Sequence, residues 1–192
     1  MSNNSGFEQI SYADQVVIVT GAASGIGKSA AQLIASRGGV VICVDLNQAG
    51  LDQTVSEIKT AGGVAESAIL DISNQSAVMD LISSLGSKHK RIDALVNCAG
   101  YAGPTGVLVE DIKWDDYQKV IAVNLFGAIW LTQAVLPIMK KQKYCRTMHA
   151  SFTLQQVKML THWSNINLMK PPKCVIMQIN TLTLSACRPT VV

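Results

Sequence analysis

Apolar and polar residues alternate in blocks along the first hundred residues of this 192-residue chain. Four blocks are apolar almost throughout, which is typical of strands buried on both faces of a parallel sheet. These predicted strands are 15–20, 40–45, 64–70 and 92–97. The blocks between them carry apolar residues at helical spacing and end at glycines or at a basic loop, which predicts helices. These predicted helices are 25–37, 47–61 and 73–85.

This regular alternation indicates βαβ units with right-handed crossovers. It predicts an α/β fold: a doubly wound parallel sheet with helices on both faces. The starts of the helices carry their own signals, because Ser24 or Gly25 opens the first helix and Ser73 is the expected N-cap of the third. Residues 1–13 are expected to form a loose N-terminal arm.

A longer and more apolar pattern begins after residue 110. Helical spacing predicts a helix over 111–120 and a second one over 123–141, kinked at Pro137. Polar residues interrupt the most apolar stretch, Val120–Met139, so we expect a buried helix and no membrane span. Beyond residue 141 the pattern is weak, with helical character at 151–160 and strand-like alternation at 174–179 and 181–186.

Charge divides the chain near Lys141. Residues 1–141 hold all 13 acidic residues and 10 of the 16 basic ones, whereas residues 142–192 hold six basic residues and no acidic ones. We therefore predict a domain over 1–141 and an atypical basic tail over 142–192. A basic tail can bind nucleic acid, but these Lys and Arg residues are scattered singly among apolar residues. Nucleic acid is therefore not an expected partner.

Five cysteines, none in a CxxC pair, bear on location and on metal binding. An odd number of cysteines, without a secretory leader among the polar residues 1–14, predicts reduced thiols and a cytoplasmic protein. His149 and His162 could be grouped with cysteines of the tail, but their spacing fits no zinc pattern. Solvated histidines and buried thiols are the preferred interpretation, and no metal is expected.

The stretch from Val16 to Gly27 carries the first candidate chemistry. A β-branched run ends in glycines, which allow a tight turn and let the backbone approach a bulky anion. The helix that follows directs its free N–H groups and the positive end of its dipole at that anion. Strand, glycine turn and helix start together predict a dinucleotide pyrophosphate site, although a plain strand-to-helix turn has the same appearance by itself.

Asp45 ends the second predicted strand, 18 residues after Gly27. A carboxylate at that place accepts hydrogen bonds from the adenosine ribose hydroxyls and repels a 2′-phosphate. No Lys or Arg stands at 22–24 or 46–47, where it would meet such a phosphate. The sequence therefore favours NAD over NADP, and the alternative interpretation of Asp45 is a solvated carboxylate at a strand end.

Five motifs, in order along the chain, resemble those of the short-chain dehydrogenase/reductase family. Thr20–Gly27 looks like the TGxxxGxG turn of that family, and Asp45 matches its NAD-selecting acid. Leu70–Ile72 resembles the Asp-apolar pair that holds the adenine ring. Asn97–Gly100 resembles the NNAG motif, with a Cys in place of the second Asn. Val123–Gly127 resembles the segment whose Asn joins the catalytic tetrad.

The resemblance covers roughly residues 12–141. It implies a Rossmann-like sheet, incomplete at the C-terminus, that binds NAD, acts on a small alcohol or carbonyl substrate, and touches no membrane. It also implies the homodimers or homotetramers that are common in the family. The cofactor-binding residues that it implies are Thr20, Gly21, Ser24, Gly25, Ile26, Gly27, Asp45, Leu46, Asp71, Ile72, Asn97, Ala99 and Gly100.

Enzymes of that family transfer a hydride between nicotinamide and a hydroxyl/carbonyl pair, using a tetrad of Ser, Tyr, Lys and Asn. Only the Asn is matched here, by Asn124, because no Tyr of this chain is followed by a Lys four residues later. Ser151 lies near the expected place of the Ser, but no apolar strand leads to it. Two hypotheses remain: an NAD-dependent oxidoreductase, or an NAD-binding but inactive fragment or regulatory partner.

The departure from the family coincides with the charge boundary. We therefore hypothesise that residues from about 142 onward arise from a frameshift, an alternative exon or an incorrect gene model. Sequencing the transcript across codons 138–150 tests this hypothesis. An uninterrupted frame that encodes this tail in the main transcript would contradict it.

Overall fold

A computed structural model of the chain describes residues 11–142, 146–150 and 175–179. Strands and helices alternate over the first hundred residues, as the sequence predicts. The strands are β1 Val16–Thr20, β2 Val40–Asp45, β3 Val64–Ile69, β4 Ala94–Asn97, β5 Arg146–Ala150 and β6 Val175–Ile179. The helical elements are α1 Gly25–Ser36, α2 Gln48–Thr60, α3 Gln75–His89, a 3-10 turn Val109–Asp111, α4 Trp114–Ile121, a π-helical segment Ala122–Gly127 and α5 Ala128–Lys141.

The strands form one parallel sheet in the order β3-β2-β1-β4-β5-β6. β1 lies between β2 and β4, with Val19 opposite Cys43 on one side and Val96 on the other. The chain runs outward from β1 to β3 and then crosses back to β4, so the strand order reverses at β1. The predicted doubly wound parallel sheet is thereby confirmed. Ligands of such sheets bind outside the carboxyl ends of the strands at this reversal, where the glycine turn lies.

Two apolar clusters cover the two faces of the sheet. Val16 and Ile18 of β1 belong to a cluster with residues of α3 and α5, whereas Val17 and Val19 belong to a cluster with residues of α1 and α2. No residue of β1 is more than 5% exposed. Because both faces are covered, β1 is apolar throughout and does not alternate between apolar and polar residues.

The start of α3 differs from the prediction by one residue. Asn74, not Ser73, is the N-cap, and its side-chain oxygen accepts a hydrogen bond from the Ala77 N–H at 3.2 Å. The Ser73 hydroxyl donates instead to Asp71 Oδ1 at 2.6 Å. The Ser73 side chain is thus turned toward the carboxylate that precedes the helix, and the Asn74 side chain supplies the capping oxygen.

The end of α3 corrects a second expectation. The sequence predicts that this helix ends at residue 85, before a basic loop over 86–91. In the structure α3 continues through Gly86 to His89 and ends at its C-cap Lys90, whose φ is +61°. A Cβ on Gly86 would lie 2.6 Å from Cδ1 of Ile138 in α5. This glycine therefore serves the close packing of α3 on α5 and does not end the helix.

The two helices predicted over 111–120 and 123–141 are one continuous helical run, Trp114–Lys141. They meet in the π-helical segment, which contains Asn124. A Cβ on Gly127 would lie 2.8 Å from the Ile72 side chain, so the end of this segment is pressed against the loop after β3. π-Helical turns inside α-helices are frequent at functional sites, which draws attention to Asn124.

This helical run is long and apolar enough to cross a membrane by length and composition, with a mean hydropathy of 1.7 over its most apolar window. Leu131, Val135 and Met139 of α5 are completely buried against the sheet. The core of the domain therefore accounts for the apolar residues on one side of the run. Only 22% of that apolar window is buried, so the predicted buried helix is buried along one face and not all round.

The tail supplies two strands. The sequence predicts no strand leading to Ser151, but β5 ends at the residue before it and pairs in parallel with β4. Sheet pairing uses backbone groups, so the polar sequence Arg146–His149 can still form a strand. β6 agrees with the predicted strand over 174–179. The other predictions for the tail, a helix over 151–160 and a strand over 181–186, lie outside the described residues.

The N-terminal arm is attached to the domain near its end. The Tyr12 N–H donates to the Arg37 carbonyl oxygen at 3.0 Å, and the Gln15 N–H donates to the Tyr12 carbonyl oxygen at 3.0 Å. The Tyr12 side chain also packs against the cluster under α1 and α2. The loose arm predicted over 1–13 is therefore wrong for its last residues, and residues 1–10 lie outside the described residues.

Candidate dinucleotide-binding site

The turn from β1 into α1 requires glycine at two positions because the backbone passes very close to itself. Gly21 has a φ of +69°, and a Cβ on it would lie 2.8 Å from the Ala99 nitrogen in the loop after β4. A Cβ on Gly27 would lie 2.1 Å from the Gly21 carbonyl oxygen. The first turn of α1 is therefore held directly against the end of β1.

The start of α1 is open to an anion. Lys28 N–H makes the first helical hydrogen bond, to the Ser24 carbonyl oxygen at 3.1 Å, so the N–H groups of Gly25–Gly27 precede the helical ladder. Within the described part of the chain, no acidic side chain lies in this first turn and the Ser24 side chain makes no capping bond. Free N–H groups at the positive end of a helix dipole bind phosphate, so this turn suits a pyrophosphate.

Thr20 fixes the loop after β4 to the glycine turn. Its side chain is almost completely buried, and its hydroxyl oxygen accepts hydrogen bonds from the N–H groups of Cys98 at 3.2 Å and Ala99 at 3.1 Å. The sequence counts Thr20 among the cofactor residues. In the structure its hydroxyl oxygen holds two backbone N–H groups of the Asn97–Gly100 loop.

Asp45 at the end of β2 connects the glycine turn to the start of α2. Its Oδ2 accepts from the Ala23 N–H at 3.1 Å, and its Oδ1 accepts from the Asn47 N–H at 3.0 Å. Leu46 beside it is 63% exposed. Each carboxylate oxygen has a second lone pair, so both can still accept from a ribose hydroxyl.

Asp71 and Ile72 follow β3 on the same edge of the sheet. Asp71 is exposed, and its Oδ1 accepts from both the N–H and the hydroxyl of Ser73. The Ile72 side chain is 7% exposed and lies against Gly127. Of these two neighbours, Asp71 presents its side chain to solvent at this edge, whereas the side chain of Ile72 belongs to the core.

Asn124 joins the π-helical segment to the loop after β4. Its side-chain oxygen accepts from the Tyr101 N–H at 2.7 Å, and its side-chain nitrogen donates to the Tyr101 carbonyl oxygen at 2.9 Å. Gly100 lies beside it, because a Cβ there would be 3.4 Å from Asn124 Oδ1. Asn97, at the end of β4, is 4% exposed. The predicted catalytic Asn therefore anchors this loop through both atoms of its amide.

Two groups near the site have shifted pKa values. A hydrogen bond from Lys28, followed by one from Gln53, holds the pKa of the Glu57 carboxyl below its usual value. Lys28 Nζ lies 2.8 Å from Glu57 Oε2. Lys28, the cation nearest in sequence to the glycine turn, is therefore paired with a carboxylate of α2. Burial raises the pKa of the Cys98 thiol to about 11, which keeps it protonated at neutral pH.

The structure brings most of the predicted residues to one edge of the sheet: the glycine turn, Asp45, Asp71 and the Asn97–Gly100 loop follow adjacent parallel strands. Gly50 and Thr54 of α2 also touch the glycine turn, and the sequence does not predict these contacts. The sequence features that could have pointed to them are a glycine in the first turn of a helix and a threonine inside an apolar stripe. Among the described residues no group of three His, Cys, Asp or Glu side chains could hold a metal.

A separate groove of about 600 Å³ lies between α3 and α5. None of the predicted cofactor residues lines it. Its lining residues are Met79, Ile82, Ser83, Gly86, Ser87, Lys90, Gln133, Ala134, Pro137 and Ile138. The groove is therefore distinct from the edge of the sheet that carries the predicted site.

Fold and site together define a dinucleotide-binding α/β protein, and comparisons with known proteins give its family. A family model described as short chain dehydrogenase matches residues 15–157, past the boundary near Lys141 at which the sequence predicts the resemblance to end. The chain belongs to the short-chain dehydrogenase family. Members of the family bind a nicotinamide dinucleotide and act on small molecules.

Three similar proteins illustrate the relationship. The 3-oxoacyl-[acyl-carrier-protein] reductase FabG of Thermotoga maritima is 36% identical over 129 residues, which are 67% of this chain and 52% of that protein. A metagenomic short-chain oxidoreductase, crystallised with NADP, has a TM-score of 0.80 at 26% identity and covers 92% of this chain and 86% of its own. NAD⁺-bound xylitol dehydrogenase has a TM-score of 0.68 at 31% identity, and the match covers 77% of this chain and 56% of that protein. The chain spans about half the length of the curated relatives it matches.

Proposed function

We propose that this chain binds NAD across the carboxyl edge of its sheet. The supporting observation is that two features lie side by side. The first turn of α1 has neither a side-chain cap nor an acidic residue, and the Asp45 carboxylate beside it accepts from the Ala23 N–H. The first-turn N–H groups of α1 would hold the pyrophosphate, and Asp45 would accept from the adenosine ribose. The bound nicotinamide would supply the hydride acceptor or donor for an alcohol/carbonyl pair.

We further propose that the chain as given binds NAD without catalysing hydride transfer. None of its four Tyr residues has a Lys four positions later: the residues found there are Val16, Thr105, Ile121 and Met148. Without that pair nothing in the sequence matches the general acid/base of the family, and such groups contribute typically about 10²–10⁴-fold to rate. An active NAD-dependent oxidoreductase is the second candidate, favoured by the family and by Asn124 in its π-helical segment.

The test is a calorimetric titration of the purified chain with NAD, followed by a turnover assay with NAD and a panel of small alcohols. We expect saturable binding and no NADH formation above the rate without protein. Lys28→Gln, which leaves every backbone N–H of the turn in place, is a control that should retain NAD binding. Absence of binding would contradict the cofactor proposal, and turnover comparable to that of an intact reductase would contradict the proposed inactivity.

We also propose that the chain self-associates through α4. Trp114, Tyr117 and Ile121 follow helical spacing and are 69%, 37% and 42% exposed, which forms an apolar stripe on the surface. Such stripes mark interaction surfaces. If two copies pair their helical runs antiparallel, the acidic first turn of α4 in one copy meets the basic last turn of α5 in the other. This charge complementarity favours a second copy as the partner.

Ile121→Glu should therefore shift the protein from dimer to monomer in sedimentation velocity at tens of micromolar, because it places a charge in the apolar contact. Ile69→Glu is the matched control, since Ile69 is an exposed isoleucine on β3 (57%, against 42% for Ile121) outside the stripe, and should remain dimeric. A wild-type protein that sediments as a monomer at this concentration would contradict the proposal.

A further inference from the structure

Helix α2 approaches the glycine turn so closely that there is no room for a Cβ atom at position 50. A Cβ on Gly50, in the first turn of α2, would lie 2.7 Å from the Ala23 Cβ and 3.0 Å from the Ala23 carbonyl oxygen. Asn47 caps the helix at the same point, its side-chain oxygen accepting from the Gly50 N–H at 3.1 Å. The start of α2 is thus packed directly on the residues that lead into α1.

Thr54, one turn further along α2, makes a polar contact with the same residues. It is completely buried, and its hydroxyl oxygen lies 3.0 Å from the Ala22 carbonyl oxygen and 2.9 Å from the Gly50 carbonyl oxygen. The hydroxyl has a single proton to donate. The Gly50 carbonyl oxygen already accepts an N–H within the helical ladder of α2, so we assign the hydroxyl proton to the Ala22 carbonyl of the glycine turn. Ala22 is itself completely buried, so its carbonyl oxygen depends on this bond.

The Ala22 carbonyl and the Ala23 N–H belong to a single peptide plane. Thr54 donates to the carbonyl end of this plane, while Asp45 Oδ2 accepts from its N–H end at 3.1 Å. The plane is therefore fixed at both ends, and its orientation sets the path of Ser24–Gly27. Removing either bond frees the plane to rotate, because peptide rotation needs only changes at soft backbone dihedrals.

We propose that Thr54 is a positioning residue for the dinucleotide site. Its hydroxyl holds the Ala22–Ala23 peptide in the orientation that presents the first-turn N–H groups of α1 and keeps Asp45 in place. This inference rests on the proposed binding of NAD at the turn. It names a residue outside the turn that sets the orientation of the turn's backbone and thereby the affinity for NAD. Thr54 does not touch the bound molecule in this role; it acts through Ala22.

The test replaces Thr54 by Val, which keeps the shape and removes the hydroxyl. We expect the dissociation constant for NAD to rise roughly tenfold, because a buried carbonyl loses its donor and the turn relaxes. Amide hydrogen exchange at Ala23, whose N–H is bonded to Asp45, should accelerate in the ligand-free protein, while exchange in β1 should not. Thr54→Ser retains the hydroxyl and should restore both NAD binding and slow exchange.

Two controls separate positioning from general destabilisation. Thr60→Val removes the same kind of hydroxyl bond on α2, from Thr60 to the Ser56 carbonyl oxygen at 2.8 Å, at an exposed site away from the turn. Val55→Ala weakens the core beside Thr54 without touching the hydroxyl, since Val55 is 8% exposed. Neither control should change exchange at the Ala23 N–H, although Val55→Ala should lower the free energy of unfolding.

The outcomes are distinct. Unchanged exchange at the Ala23 N–H in Thr54→Val would overturn the inference, as would an equal loss of NAD affinity in Val55→Ala. If the wild-type protein fails to bind NAD, the proposed function is contradicted, and the exchange measurement still decides whether Thr54 holds the turn.

Discussion

Gly27→Ala is expected to unfold the start of α1 and abolish NAD binding. In a helix interior alanine is normally preferred over glycine by about 1 kcal/mol. Here the added Cβ would lie 2.1 Å from the Gly21 carbonyl oxygen and 2.6 Å from its carbonyl carbon, both of them backbone atoms. Neither can yield without moving the end of β1, which is completely buried. We therefore expect a loss of stability of at least about 3 kcal/mol, at the upper end of the usual cost of overpacking.

Gly86→Ala is the matched control for this prediction. Gly86 is also helical, and its added Cβ would meet the Ile138 side chain, 2.6 Å from Cδ1 and 3.5 Å from Cγ1. The end of a flexible side chain can move aside, so we expect a change in the free energy of unfolding of less than about 1 kcal/mol. Urea unfolding and NAD calorimetry on both variants provide the measurement. A Gly27→Ala protein as stable as the wild type, with unchanged NAD affinity, would contradict the assignment of this turn.

The sequence predicts the sheet well because its strands β1, β2 and β4 are buried on both faces. β2 spans the predicted residues 40–45, and β1 begins one residue inside the predicted run. An apolar run between two polar turns has few alternatives when helices flank it on both sides. The site residues follow from the same pattern, because Asp45 and Asn97 are the last residues of parallel strands and must meet at one edge.

The remainder of the site depends on contacts between residues far apart in the chain. In the sequence Thr54 lies among the apolar residues of the α2 stripe. Only the structure shows that its hydroxyl is within hydrogen-bond distance of the Ala22 carbonyl oxygen. Asp93 falls inside the predicted strand 92–97, and only the structure shows that it is completely buried and that its Oδ2 accepts from Val16 N–H and Arg91 Nε. Neither partner can be inferred from spacing. The π-helical segment around Asn124 likewise carries no sequence signal beyond the resemblance itself.

Cofactor choice is the question on which the similar structures differ, because one holds NADP and another NAD⁺. The geometry of Asp45 bears on this choice. Both of its oxygens are fixed by backbone N–H groups, so the carboxylate cannot rotate away from an incoming 2′-phosphate. Lys28, the cation nearest in sequence to the glycine turn, is paired with Glu57 on α2. A fixed negative charge at Asp45, with Lys28 already paired, favours the unphosphorylated ribose.

We therefore expect the wild-type protein to bind NAD roughly 100-fold more tightly than NADP, equivalent to about 2.8 kcal/mol. Two like charges 4 Å apart repel by up to about 4 kcal/mol near a protein surface, which is enough to account for this difference. Asp45→Asn removes the charge and should reduce the ratio to below about tenfold, mainly through tighter NADP binding. Asp52→Asn changes the net charge equally on the exposed side of α2 and should leave the ratio unchanged, since salt screens distant charges. Competition calorimetry measures all three ratios, and equal affinity of the wild type for both dinucleotides would show that Asp45 does not select the cofactor.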